Sequence, residues 1–121
     1  MNVYFCGSIR GGRDDVHVYR RIVQKLQSYG SVLTEHVSCS ELTDRVIVAE
    51  VTQPSLGVGY ELGRAVDMKK KILCLFRPSS GRRLSAMIRG AEDGEMFTVK
   101  DYREEEVEKV LEEFFNNLKR T

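Results

Sequence analysis

Short β-branched apolar runs alternate along this chain with stretches whose apolar residues recur at helical spacing, and that alternation limits what it can fold into. Val3 to Cys6 is an apolar strand; beyond a glycine-rich stretch, Val16, Tyr19, Ile22, Val23 and Leu26 follow helical spacing up to Gly30. Val32 to Val37 reads as a second strand, Val46 to Val51 as a third, Val58 to Met68 as a helix and Ile72 to Phe76 as a fourth strand. The remainder gives a short helix near Leu84 to Arg89, a strand near Phe97 to Val99, and a helix with Val107, Val110, Leu111, Phe114 and Leu118 on one face. Strands that alternate with helices build a parallel sheet with helices on both faces, because each crossover returns the chain to the same end of the sheet.

One connection is too short for that plan. Ser38 to Arg45 alone separate the second and third strands, whereas a parallel crossover takes a dozen or more residues. Either those two strands pair antiparallel, or the crossover between them is shortened or missing.

At 121 residues the sequence reads as one domain, 1–121, with a single core. Charged residues at 31% and hydrophobic ones at 41% fit a folded globule. No apolar stretch approaches a membrane span, and Met1-Asn2-Val3-Tyr4 enters a strand without a basic and apolar leader, so a soluble intracellular protein with no membrane partner is expected. Cys6, Cys39 and Cys74 are odd in number and lack metal-ligand spacing, which reads as reduced packing thiols; with two histidines, neither a metal nor another cofactor is expected. A net charge of +1 lacks the basic excess of a protein that binds a nucleic-acid polymer, but suits a small anionic ligand.

Candidate chemistry gathers after the third strand. In Val51-Thr52-Gln53-Pro54-Ser55-Leu56-Gly57-Val58-Gly59-Tyr60-Glu61, Pro54 ends the strand, and Gly57 and Gly59 allow the backbone close to a ligand. With the helix starting at Val58, Glu61 falls in its first turn, where the macrodipole favours an ionised carboxylate suited to nucleophilic attack. An ordinary helix-start glutamate is the alternative. The first loop, Gly7-Ser8-Ile9-Arg10-Gly11-Gly12-Arg13, combines glycines, a hydroxyl and two guanidinium groups as an anion site would, although it has neither a Walker ending nor the dinucleotide glycine spacing, and a flexible turn accounts for it equally. Ser55 would face the same cavity. After the fourth strand, Arg77 to Gly90 adds four arginines, and Ser85 and Met87 at a helix start could complete a phosphate or base pocket, in this subunit or a neighbour. Cleaving a glycosidic bond commonly uses two acids. Glu61 supplies one, and the second is not evident.

The segments Tyr4 to Arg13, Thr34-Glu35-His36-Val37, Val48 to Ala65 and Leu84-Ser85-Ala86-Met87-Ile88-Arg89-Gly90 together resemble the nucleoside 2-deoxyribosyltransferase family, in particular its branch of deoxynucleoside 5′-phosphate N-hydrolases. The likeness extends over nearly the whole chain. It implies a flavodoxin-like fold, a homodimer, a cytoplasmic and nuclear location, and hydrolysis of deoxyribonucleoside 5′-monophosphates to free base and 2-deoxyribose 5-phosphate. By position it implies that Glu61 forms a glycosyl-enzyme intermediate and that Tyr4 orients it. It assigns Gly7, Ser8, Ile9, Arg10, Gly11, Gly12, Arg13, Ser55 and Gly57 to the 5′-phosphate and sugar, and Ser85, Ala86 and Met87 to the partner's site. His36 and Ile22 would lie near the base. Where the connection is short here, the family carries a segment resembling His-Glu-x-Asp-Leu-x-Trp-Leu, whose aspartate binds deoxyribose and serves in acid-base catalysis. No residue of this chain matches it; Asp44, the nearest acid, corresponds to another family position. Three readings follow: an N-hydrolase, a deoxyribosyltransferase that passes the sugar to another base, or a nucleotide-binding module without turnover. A real deletion predicts weak or absent turnover.

Overall fold

No residue of Val46–Glu50 is exposed, and a strand covered on both faces must lie inside a sheet flanked by helices. The computed structural model describes residues 2–7, 16–33 and 46–119. In chain order these form β1 (Asn2–Cys6), α1 (Val16–Gln27), β2 (Ser31–Leu33), β3 (Val46–Glu50), α2 (Leu56–Asp67), β4 (Lys71–Phe76), α3 (Ala86–Gly90), β5 (Phe97–Asp101) and α4 (Val107–Lys119). Single 3-10 turns at Pro78–Ser80 and Glu104–Glu106 lie in the connections after β4 and β5. Among the described residues, no helix is long and apolar enough to cross a membrane.

The five strands run in the order β2-β1-β3-β4-β5, and every neighbouring pair is parallel. β1 lies between β2 and β3, with Val3 opposite Val32 on one side and Val46 on the other. The antiparallel alternative for the second and third strands is therefore wrong. They are not neighbours: each takes one edge of β1, and both keep its direction. The short connection itself, and residues 34–37 of the expected second strand, lie outside the described residues.

Alternation along the strands divides the core in two, since successive side chains point to opposite faces. On one face Val3, Phe5, Val46, Val48, Leu73 and Leu75 meet Val18, Ile22 and Leu26 of α1 and Val107, Leu111, Phe114 and Phe115 of α4. On the other, Tyr4, Cys6, Ile47, Ala49, Val51, Ile72, Cys74 and Phe76 meet Val58, Leu62 and Ala65 of α2, with Ile88 of α3 at the margin. The expected helices on both faces are thus present. At the outer surface of the first layer, Arg21 donates to both oxygens of Glu108, from Nη2 at 2.6 Å and Nε at 3.0 Å, and thereby ties α1 to α4. That guanidinium holds the Glu108 carboxyl below its usual range.

Phe115 anchors this layer: it has no exposed surface, stacks on Tyr29 with ring centroids 4.2 Å apart, and meets Phe114 edge-on at 5.3 Å. Phe115→Ala removes both ring contacts and leaves a cavity. It should cost about 3–5 kcal/mol in a urea-unfolding experiment.

Candidate active site

Strand order switches sides between β1 and β3, and open parallel sheets bind ligands beyond the C-terminal ends of the strands at such a switch. Tyr4, in the middle of β1, points to the α2 face and is almost completely buried. On α2, the stripe Val58, Leu62 and Ala65 packs on the sheet, and Glu61 sits three residues after Val58 and four before Ala65, which places it on the flank of the same face. The Tyr4 hydroxyl donates to Oε2 of Glu61. Strand and helix are therefore joined through the carboxylate that the sequence singles out.

The helix carrying Glu61 starts earlier than its apolar spacing indicates. Ser55 is its N-cap, its hydroxyl accepting from the Val58 amide at 3.3 Å and its carbonyl from the Gly59 amide at 3.0 Å, so α2 begins at Leu56 and not at Val58. Glu61 falls in the second turn, and no acid stands in the first. Because the macrodipole fades within the first turn, it is not what prepares this carboxylate. The contact with Tyr4 is what orients it.

Of the other residues singled out by sequence, Ser55 and Gly57 stand at the start of the same helix, Ser55 half-buried and Gly57 exposed, with the Ser55 hydroxyl 3.8 Å from where a Cβ on Gly57 would lie. Gly7 has a packing reason of its own: a Cβ there would come within 3.1 Å of the Tyr19 ring. Ser85 caps α3 by accepting from the Met87 amide at 3.3 Å, and Ser85, Ala86 and Met87 are all exposed, Met87 at 86%. Ile22 is fully buried in the α1–α4 core, on the sheet face away from Glu61, and the structure does not bring it together with Tyr4 and Glu61. Ser8, Ile9, Arg10, Gly11, Gly12, Arg13 and His36 lie outside the described residues.

A second carboxylate escaped sequence reasoning. Glu50, at the end of β3, is completely buried; its Oε1 accepts from the Thr52 amide at 2.8 Å and its Oε2 from the Thr52 hydroxyl at 2.9 Å and from Tyr102. The Arg77 Nε lies 3.4 Å from the same Oε2. The signal was present as a charge inside the run Val46-Ile47-Val48-Ala49-Glu50-Val51, because a buried acid requires donors.

No protein-family model matches the chain. Over 142 aligned positions it is 62% identical to 5-hydroxymethyl-dUMP N-hydrolase of Tetraodon nigroviridis, a match that covers 98% of this chain and 100% of that protein. The chain belongs to this N-hydrolase family. The human 5-hydroxymethyl-dUMP N-hydrolase is 57% identical over 136 positions, which cover 93% of this chain and 78% of the human protein. A solved structure, the CMP N-glycosidase BcmB of Clostridium botulinum, superposes with a TM-score of 0.70 at 19% identity over 94% of this chain and 99% of that one. It shares the fold. Family membership makes the chain an enzyme of the N-glycosidase class. The alignment with the Tetraodon protein has 142 positions against 121 residues here, so that relative carries internal residues with no counterpart in this chain. A shortened crossover requires a difference in that direction.

Next to the Tyr4–Glu61 pair lies Cys6, whose thiol is pushed well above its ordinary range, first by burial, then by the Glu61 carboxylate and by Cys74. Cys74 is pushed up to about 12 by burial and by Glu92. Both thiols therefore stay protonated at neutral pH and are poor nucleophiles. In the folded protein at about pH 8, a soluble aromatic disulfide reagent should leave both unmodified, as peptide mass spectrometry would read; labelling of either at the rate of the unfolded chain would contradict this.

Proposed function

We propose that the chain hydrolyses the N-glycosidic bond of 2′-deoxyribonucleoside 5′-monophosphates, with Glu61 as nucleophile. The observation that carries this reading is the Tyr4–Glu61 contact, which holds one carboxylate against β1, next to the topological switch point of a chain in the N-hydrolase family. The Tyr4 hydroxyl engages Oε2, so Oε1 is the oxygen that attacks the anomeric carbon. As that bond forms, the bond to the base breaks, and its electron pair leaves on the base nitrogen, which takes a proton. Water then cleaves the sugar ester, releases 2-deoxyribose 5-phosphate and restores the carboxylate. Ser55 and Gly57, with the glycine- and arginine-bearing loop Gly7 to Arg13, would hold the 5′-phosphate. Charge-assisted hydrogen bonds to that group fix the sugar for attack.

The exposed apolar residues Leu56, Tyr60 and Val66 on α2, together with Met87 on α3, support a homodimer in which Ser85, Ala86 and Met87 reach the neighbour's site. A specific observation favours a second reading, a binding module without turnover: the internal residues of the relatives that this chain lacks. It predicts saturable monophosphate binding and no base release.

Incubation with deoxynucleoside monophosphates, followed by chromatography of free base, separates the two readings. The parent chain should release base, and Glu61→Gln should lower the rate by at least about 10³-fold while still binding nucleotide. Equal rates in the two proteins would remove Glu61 from its role. Appearance of a new nucleotide on addition of an acceptor base would identify a transferase instead.

A further inference from the structure

The strongest unexplained feature outside the Tyr4–Glu61 pair is the buried carboxylate of Glu50. A charge-bearing group with no exposed surface is costly unless donors surround it, and a purely apolar residue would end β3 at less cost. Its hydrogen-bond and ion-pair partners come from three separate exits of the sheet. Thr52 follows β3 and gives its amide and hydroxyl; Arg77 follows β4 and sets its Nε 3.4 Å from Oε2; Tyr102 follows β5 and gives its hydroxyl. Thr52 closes the ring a second time, since its Oγ1 accepts from the Arg77 amide at 2.9 Å. Two backbone bonds continue the sheet past its strands at the same level, from Val51 N to Leu75 O and from Tyr102 N to Phe76 O, each 2.9 Å.

We propose that Glu50 is a positioning residue for Glu61: it clasps the exits of β3, β4 and β5 together and so fixes the point from which α2 departs toward Tyr4. This rests on the reading of Glu61 as the nucleophile. The lever between clasp and helix is short and stiff. Between Thr52 and the start of α2 at Leu56 stand Gln53, Pro54, whose ring fixes its φ, and Ser55, which caps the helix. Glu50 itself touches neither Tyr4 nor Glu61; it belongs to the opposite face of the sheet, with Val46 and Val48. The apolar stripe of Val58, Leu62 and Ala65 holds α2 against the sheet, but apolar contact is less directional than a hydrogen bond. The hydrogen-bonded clasp supplies the direction that the stripe lacks.

The test uses the full chain with carbon-13 at Cζ of its five tyrosines, the Tyr4 resonance being assigned by Tyr4→Phe and its uncoupled position set by Glu61→Gln. Glu50→Gln turns one acceptor oxygen into a donor facing donors, and Thr52→Val removes the hydroxyl that bonds both Glu50 and Arg77. In each variant the Tyr4 resonance should move toward its position in Glu61→Gln, with far-UV circular dichroism as in the parent, and Tyr102→Phe, which removes a single donor, should move it less. In the base-release assay, kcat should fall about tenfold with KM changed less than about threefold, because the reacting geometry is what shifts. A Tyr4 resonance at the parent position in any folded variant of Glu50 or Thr52 would overturn the proposal. Tyr102→Phe serves as the test if those two variants do not fold. The resonance reads positioning whether or not the parent releases base, so a failure of the clasp is distinct from a failure of the proposed reaction.

Discussion

The hydrogen bond from Tyr4 to Glu61 joins the first strand to the helix after the third, and it can form only because β1 and β3 are parallel neighbours in the sheet. That adjacency puts Tyr4 on the face where α2 packs. Two further conditions make the contact. Alternation along β1 sends Tyr4 and Cys6 to the α2 side while Val3 and Phe5 go to the α1–α4 side. The capping hydroxyl of Ser55 then sets the phase of α2, so that Glu61 shares the sheet-facing side with Val58, Leu62 and Ala65. The carboxylate is thereby held half-buried against Tyr4.

Much of this arrangement is legible in the residues. The apolar runs that become β1, β3 and β4 are continuous, as strands buried on both faces require, and the helical spacing of α1 and α4 marks the faces that meet. The direction of the second strand is not legible, because spacing along a chain says nothing of which strand stands between two others. β1 does so here, and a connection too short for neighbouring parallel strands was the only hint of trouble. The start of α2 is misjudged for a similar reason. Leu56 and Gly57 lie off the buried stripe that begins at Val58, so apolar spacing does not mark the first two residues of the helix, and the cap decides the boundary.

The site divides in the same way. Glu61 and Tyr4 are legible as chemistry-bearing side chains in the right segments, but their contact depends on a sheet order that no local pattern encodes. Ile22 shows a different case: the family resemblance implies a place near the base, while its position in the helical apolar stripe buries it fully in the α1–α4 core. Glu50 is legible in retrospect as a charge in an apolar strand, yet its partners at Thr52, Arg77 and Tyr102 are scattered over more than fifty residues of sequence. Family membership at 62% identity fixes the class of enzyme, while the internal residues present in relatives and lacking here bear on how well this chain performs it.

The proposed role of Glu61 is that of a group that becomes covalently bonded to the sugar and is then released. Rapid acid quench of the protein turning over a deoxynucleoside monophosphate, followed by peptide mass spectrometry, tests that role directly. The account predicts a 2-deoxyribose 5-phosphate adduct on the peptide that contains Glu61, absent from Glu61→Gln. Release of base with no adduct under conditions that trap one in a human or Tetraodon relative, or an adduct on another residue, would contradict it.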